Sequence, residues 1–153
     1  MTNFSIIIPA YNEAKNLNLL LDEIEINCKF LKLYEIIIVD DNSEDNTKEV
    51  LRNSKVSNLK IISNSNNLGQ SFSIYKGIQA SKYDNIITLD ADMQNDPKDI
   101  KKLVNIYTQN NDAKLVSGIR RVRKDNLLKI LSSRIANFVR SFILKDKCPD
   151  TGC

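Results

Sequence analysis

The chain contains no histidine. That excludes every triad or general base built on imidazole, and every zinc site that needs one. Cysteine is sparse: Cys28, Cys148 and Cys153 form no CxxC pair, so they read as free thiols in a reducing cytoplasm. Only 4 glycines occur, and the first is Gly69. A dinucleotide-binding turn or a P-loop needs glycines after its first strand, where backbone must approach phosphate. Here that turn is Pro9-Ala10-Tyr11-Asn12-Glu13, with no GxxxxGKS/T anywhere. A phosphoacceptor receiver domain fails too, because no acidic pair follows the first strand. No apolar run is long enough to span a bilayer. The early segment Ile6-Ile7-Ile8 meets Pro9 too soon to be a signal peptide.

What is present is ordinary in bulk and uneven in detail. The 153 residues, 42% hydrophobic and 27% charged, suffice for one domain with a real core. Between Lys114 and Lys147 stand ten Lys/Arg against Asp125 and Asp146, a net +8. The overall +3 then leaves −5 for the rest of the chain. An acidic body with a basic carboxyl-terminal third suggests an anionic partner at that end, against the plain alternative of a solvated basic helix.

Strand and helix alternate. Phe4–Ile8, Glu35–Val39, Leu59–Ile62, Asn85–Leu89 and Ala113–Ser117 read as strands, mostly continuous Ile/Val runs. Between them, helical spacing covers Ala14–Phe30 (Leu17, Leu20, Leu21, Ile24, Cys28), a segment ending near Ser54, and another ending near Ser81. Asp96-Pro97 opens a further helix, with Pro97 at its first position and Ile100, Leu103, Val104 and Tyr107 as its apolar stripe. Leu127–Leu144 is amphipathic, facing either the core or a membrane interface. The alternation predicts an α/β fold: a mostly parallel sheet with helices on both faces.

Chemistry gathers at the carboxyl ends of these strands, where open α/β sheets bind ligands. Ile86-Ile87-Thr88-Leu89-Asp90-Ala91-Asp92-Met93-Gln94 ends a strand in two carboxylates one residue apart. In extended chain, residues i and i+2 point the same way, so Asp90 and Asp92 can converge on one hard cation. Asp40 and Asp41 end the second strand in the same manner. Such a sheet, with acids and no glycine cradle, must bind phosphates through a cation and basic side chains. Its other carboxylates can accept hydrogen bonds from ribose or base.

Three motifs together resemble the family 2 glycosyltransferases of the GT-A fold: Ser5-Ile6-Ile7-Ile8-Pro9-Ala10-Tyr11-Asn12-Glu13, Ile37-Ile38-Val39-Asp40-Asp41-Asn42-Ser43 with Asn67-Leu68-Gly69, and Leu89-Asp90-Ala91-Asp92-Met93-Gln94. The Asp-Ala-Asp-x-Gln form followed by Asp96-Pro97 is most similar to the dolichyl- and polyprenyl-phosphate sugar synthases, as are Val116-Ser117-Gly118-Ile119-Arg120 and Asp150-Thr151-Gly152-Cys153. The resemblance implies a metal-dependent, inverting transfer of sugar from a nucleotide-sugar to a polyprenyl (dolichyl or undecaprenyl) phosphate. It implies that Pro9, Tyr11, Glu13, Asp40, Asp41, Asp90 and Ala91 line the nucleotide. Asp90, Asp92 and Gln94 would hold Mg²⁺ or Mn²⁺, and Asp92, Arg120 and Arg134 would serve catalysis, the arginines by meeting phosphate. The basic third fits an anionic lipid acceptor at the cytoplasmic face of a membrane, touched peripherally, and not a nucleic acid.

The chain stops at Cys153, whereas members of that branch continue and many add transmembrane helices. The expectation is therefore a single GT-A-like catalytic domain over 1–153, truncated at its carboxyl-terminal end, whose exposed edge a homo-oligomer could cover. Two alternatives stay open: a family 2 transferase with a saccharide acceptor, and a truncated non-catalytic nucleotide-binding module. Read without the family, Asp41-Asn42-Ser43 is equally a helix-capping turn, and Gly69 a loop glycine at positive φ.

Overall fold

The computed structural model describes residues 2–110 and 112–118. Two compact units divide the chain, Met1–Gln109 and Asn110–Cys153. The elements of the first are β1 (Phe4–Ala10), α1 (Leu17–Asn27), β2 (Tyr34–Asp40), α2 (Thr47–Arg52), β3 (Leu59–Ser63), α3 (Gln70–Gln79), β4 (Asn85–Thr88) and α4 (Asp99–Gln109). The amphipathic segment Leu127–Leu144, Arg120 and Arg134, and Cys148 and Cys153 lie outside the described residues.

All four strands pair in parallel, in the order β3-β2-β1-β4. Ile6, Ile8, Ile36 and Ile38 face a core closed by Leu17, Leu20, Leu21 and Ile24 of α1, Leu51 of α2, and Ile100 and Val104 of α4. Each such side chain contributes roughly 1.5–3 kcal/mol by leaving water. On α4 the expected stripe is inward, with Leu103 and Tyr107 half-buried. The Tyr107 ring packs edge-on to Phe4 and its hydroxyl donates to Asn85 Oδ1 at 2.9 Å.

The opposite face carries α3, whose contact residues are small: Ser73 and Gly77, one turn apart and buried. A Cβ on Gly77 would stand 2.5 Å from Ile7 Cγ2 and 3.4 Å from Val39 Cγ2. Gly to Ala in a helix interior ordinarily stabilises by up to about 1 kcal/mol. Here the sign reverses, and Gly77→Ala is expected to destabilise by about 1–3 kcal/mol through overpacking. A urea titration measures it; an unchanged or raised midpoint would show that α3 does not need this close approach.

Three expectations are corrected. β1 does not stop at Ile8 but runs on through Pro9 to Ala10. Ile7 C=O accepts Leu89 N–H from the β4 side, so Pro9, two residues on, presents its nitrogen to that same side. The last β4 partner is Thr88, opposite Ile7, so the missing N–H faces no ladder. Secondly, Ala113–Ser117 carries no strand, and Leu115 is 83% exposed. A strand exists only through its ladder, and these residues join none among the described ones. Thirdly, α4 begins at Asp99, and Pro97 sits in the preceding turn, where its carbonyl accepts from Ile100 N–H.

Candidate active site

The chain runs β1, β2, β3 outward in one direction and then returns to the other side of β1 for β4. The strand order therefore reverses between β1 and β4, and the carboxyl ends of the strands at such a reversal are where open α/β sheets bind ligands. The register leaves a notch there. β1 continues to Ala10, level with Asp40, while β4 ends level with Ile7. Past that notch the chain turns into the acidic segment Asp90–Asp92.

Each loop leaving the sheet at this rim holds one residue in left-handed backbone: Asn12 (φ 58°), Asn42 (φ 61°), Gly69 (φ 87°) and Met93 (φ 63°). Such a conformation costs a non-glycine residue on the order of 1–3 kcal/mol, and it persists only where the surroundings enforce it. The enforcing contacts are visible. Asn12 N–H donates to Ser43 Oγ (2.9 Å), Asn12 Oδ1 accepts Glu44 N–H (2.8 Å), and Glu13 N–H donates to Thr47 Oγ1 (2.9 Å). Asp45 accepts N–H groups from Ala14 and Thr47. Desolvation pushes the Asp45 carboxyl up, but the Thr47 and Ala14 donors outweigh it and hold it below the ordinary range. The first two loops are thus laced together.

Asp41 laces the third. It is buried, with Oδ1 accepting from Asn64 Nδ2 (2.6 Å) and Leu68 N–H (2.9 Å), and Oδ2 from Gly69 N–H (2.7 Å). Burial would raise this carboxyl; Leu68, Asn64, Gly69 and Ser73 overcome it and keep it below the usual carboxylate range. Asp40 is fully buried; its Oδ1 accepts Ser43 N–H at 3.1 Å. Among the described residues its Oδ2 has no hydrogen bond and is met by the Lys48 ammonium at 3.9 Å. Sequence reasoning marked both acids for a nucleotide. The bond from Asn64 to Asp41 was missed, because Asn64 lies 23 residues away in the chain and in none of the motifs.

The fourth loop carries the doubly acidic turn. β4 ends at Thr88, and Ala91 and Asp92 form a turn, so extended-chain alternation does not set the directions of Asp90 and Asp92. The turn sets them instead. Asp92 is exposed, its Oδ1 accepting Gln94 N–H at 3.0 Å. Asp90 is half-buried and accepts two neutral amides, Gln70 Nε2 on Oδ1 (2.6 Å) and Asn95 Nδ2 on Oδ2 (3.2 Å). The Gln94 side chain is exposed beside them, and Ala91 is buried. No group of three or more His, Cys, Asp or Glu gathers among the described residues. Two carboxylates close in sequence, Asp90 held by Gln70 and Asn95 and Asp92 open to solvent, are hard oxygen donors that suit Mg²⁺ or Mn²⁺, with phosphates and water as further ligands. On the β1 side, Pro9 is half-buried, Tyr11 is 42% exposed, and the Glu13 carboxylate accepts Asn16 Nδ2 at 2.7 Å.

Away from the rim, Cys28 is a buried free thiol whose pKa burial pushes up to about 12, which makes it inert. No helix of the described residues is long and apolar enough to cross a membrane.

Comparison with known proteins agrees with this geometry. The model of glycosyl transferase family 2 matches residues 5–152. An undecaprenyl-phosphate 4-deoxy-4-formamido-L-arabinose transferase of Yersinia pestis (strain Pestoides F) is 39% identical over 97% of this chain and 46% of its own length. The chain therefore spans about half the length of the curated relatives it matches. Among solved structures, a mannosyltransferase from Pyrobaculum calidifontis in complex with GDP-Man and Mn²⁺ superposes with a TM-score of 0.68, covering 77% of this chain and 35% of that one at 20% identity. Glucosyl-3-phosphoglycerate synthase from Mycobacterium tuberculosis in complex with UDP gives 0.69, covering 91% and 50% at 20% identity. At such identity the likeness shows the fold, which is GT-A.

Proposed function

The chain belongs to glycosyl transferase family 2, and from that premise we propose that it transfers a sugar from a nucleotide-sugar to a polyprenyl phosphate, with Mg²⁺ or Mn²⁺, at the cytoplasmic face of a membrane. The observation that carries the reading is the doubly acidic turn Asp90–Asp92 at the point of the sheet rim where the strand order reverses. The similarity to an undecaprenyl-phosphate sugar transferase supports the choice of acceptor.

In this reading the nucleoside lies across the ends of β1 and β2. Tyr11 offers an exposed ring and Glu13 an acceptor for base or ribose, while Asp40 and Asp41, buried and bonded to the rim loops, fix the backbone around them. Pro9 and Ala91 form apolar walls of the notch. Asp90 and Asp92, with Gln94 beside them, would hold the cation. When bound, that ion stabilises the departing nucleoside diphosphate as a Lewis acid. A phosphate acceptor is already an anion at neutral pH and needs no general base, which suits a chain without histidine. It needs positive charge to approach a negative donor, the role given to Arg120 and Arg134. In-line attack by the acceptor oxygen inverts the anomeric carbon.

The test is radiolabelled sugar transfer to short polyprenyl phosphates, using UDP- and GDP-sugars with Mn²⁺. Formation of a lipid-linked sugar is expected, with Arg134→Ala lowering acceptor use more than donor affinity. Transfer to free saccharides instead would contradict the acceptor. Binding of nucleotide without transfer to either would mean that this chain is a nucleotide-binding module only.

A further inference from the structure

We propose that Gln70 is a positioning residue: it holds the Asp90 carboxylate in the orientation that a divalent cation requires. The proposal rests on the reading of Asp90 and Asp92 as the metal ligands. It adds a residue that none of the three sequence motifs contains.

Gln70 is the first residue of α3, and its Nε2 lies 2.6 Å from Asp90 Oδ1, shorter than the 3.2 Å contact from Asn95 to the other oxygen. A carboxylate only accepts, so the amide nitrogen must face it. The backbone behind this contact is fixed at both ends. The preceding Gly69 adopts φ 87°, and Asp41 holds its N–H at 2.7 Å. Further along α3, Ser73 and Gly77 are buried against the sheet. Gln70 therefore reaches from a rigid helix start across to a turn that holds a left-handed Met93. The contact is exposed, so it contributes little to stability. Its use is orientation.

The choice of an amide matters. A lysine there would orient Asp90 equally well but would supply positive charge where the cation must bind. A glutamate would repel Asp90. Glutamine donates a hydrogen bond and brings no charge of its own. Residues that orient a metal ligand from behind are commonly worth 10- to 100-fold in metal affinity.

The test uses Mn²⁺ alone, titrated into the chain and read as loss of the free-ion signal in electron paramagnetic resonance, with urea midpoints alongside. Gln70→Ala is expected to weaken Mn²⁺ binding about 10-fold with an unchanged midpoint. Gln70→Lys should weaken it further, because it keeps the donor and adds the charge. Wild-type uptake with Gln70→Ala unaltered overturns the inference alone. Equal loss of metal and of stability overturns it too, since that reports a structural role. A wild-type chain that takes up no Mn²⁺ overturns the metal reading and this inference together.

Discussion

Asp41→Ala is expected to destabilise the chain by about 3 kcal/mol or more, an unusually large effect for a residue at the rim of a sheet. The carboxylate receives donors from Asn64, Leu68 and Gly69, and its removal leaves all three without it, the buried Asn64 amide most expensively. Leaving a buried donor without an acceptor costs roughly 1–3 kcal/mol. Asp41→Asn keeps one oxygen, so it should cost less, while turning an amide N–H toward a backbone N–H. Both variants should also lose nucleotide affinity, because the segment that Asp41 fixes leads directly into Gln70 and the acidic turn. Acidification supplies an independent readout. The folded carboxyl holds its proton less tightly than the unfolded one, near pH 4. Asp41 therefore stabilises fully above about pH 4, and its contribution is lost as pH falls through the lower folded-state value. Urea titrations at pH 7, 4 and 3 should show a shallower acid decline in Asp41→Asn than in wild type. Parallel declines would show that Asp41 contributes nothing through its charge.

Asp92→Asn is expected to weaken nucleoside diphosphate binding about 100-fold in Mn²⁺, near 2.7 kcal/mol, and to leave binding in chelator almost unchanged. The substitution preserves shape, and the amide oxygen can still accept Gln94 N–H as Oδ1 does now, so the turn should persist. Only the negative charge is removed, on an exposed group whose local purpose is otherwise small. Calorimetric titration in Mn²⁺ and in EDTA separates the two conditions. An equal loss in both would show that Asp92 contacts the nucleotide or shapes the loop, without a metal role.

The strands were legible because continuous runs such as Ile36-Ile37-Ile38-Val39 have few other uses in a chain of this length. Helix faces were legible where apolar residues recur at helical spacing, as at Ile100 and Val104. The continuation of β1 through Pro9 was not, because proline is tolerated there only on the side that β4 vacates, and strand order is not written locally. Ala113–Ser117 misled for the converse reason: its composition suits a strand, but no ladder includes it among the described residues. At the site, the acids themselves stood out, and the second motif included Asn67-Leu68-Gly69. What each acid is bonded to stayed hidden, since Leu68 and Gly69 lie 27 and 28 residues from Asp41, and Gln70 lies 20 from Asp90. Asn12 and Asn42 are residue types that enter left-handed backbone readily; Met93 is not, and nothing local announced it.

The most direct measurement is an anomalous difference map at the manganese edge from crystals soaked in MnCl₂ and a nucleoside diphosphate. The expected result is a peak within coordinating distance of Asp90 and Asp92, bridged to the diphosphate at the notch between β1 and β4. Ordered nucleotide with manganese elsewhere, or with none, would contradict the metal role of the acidic turn.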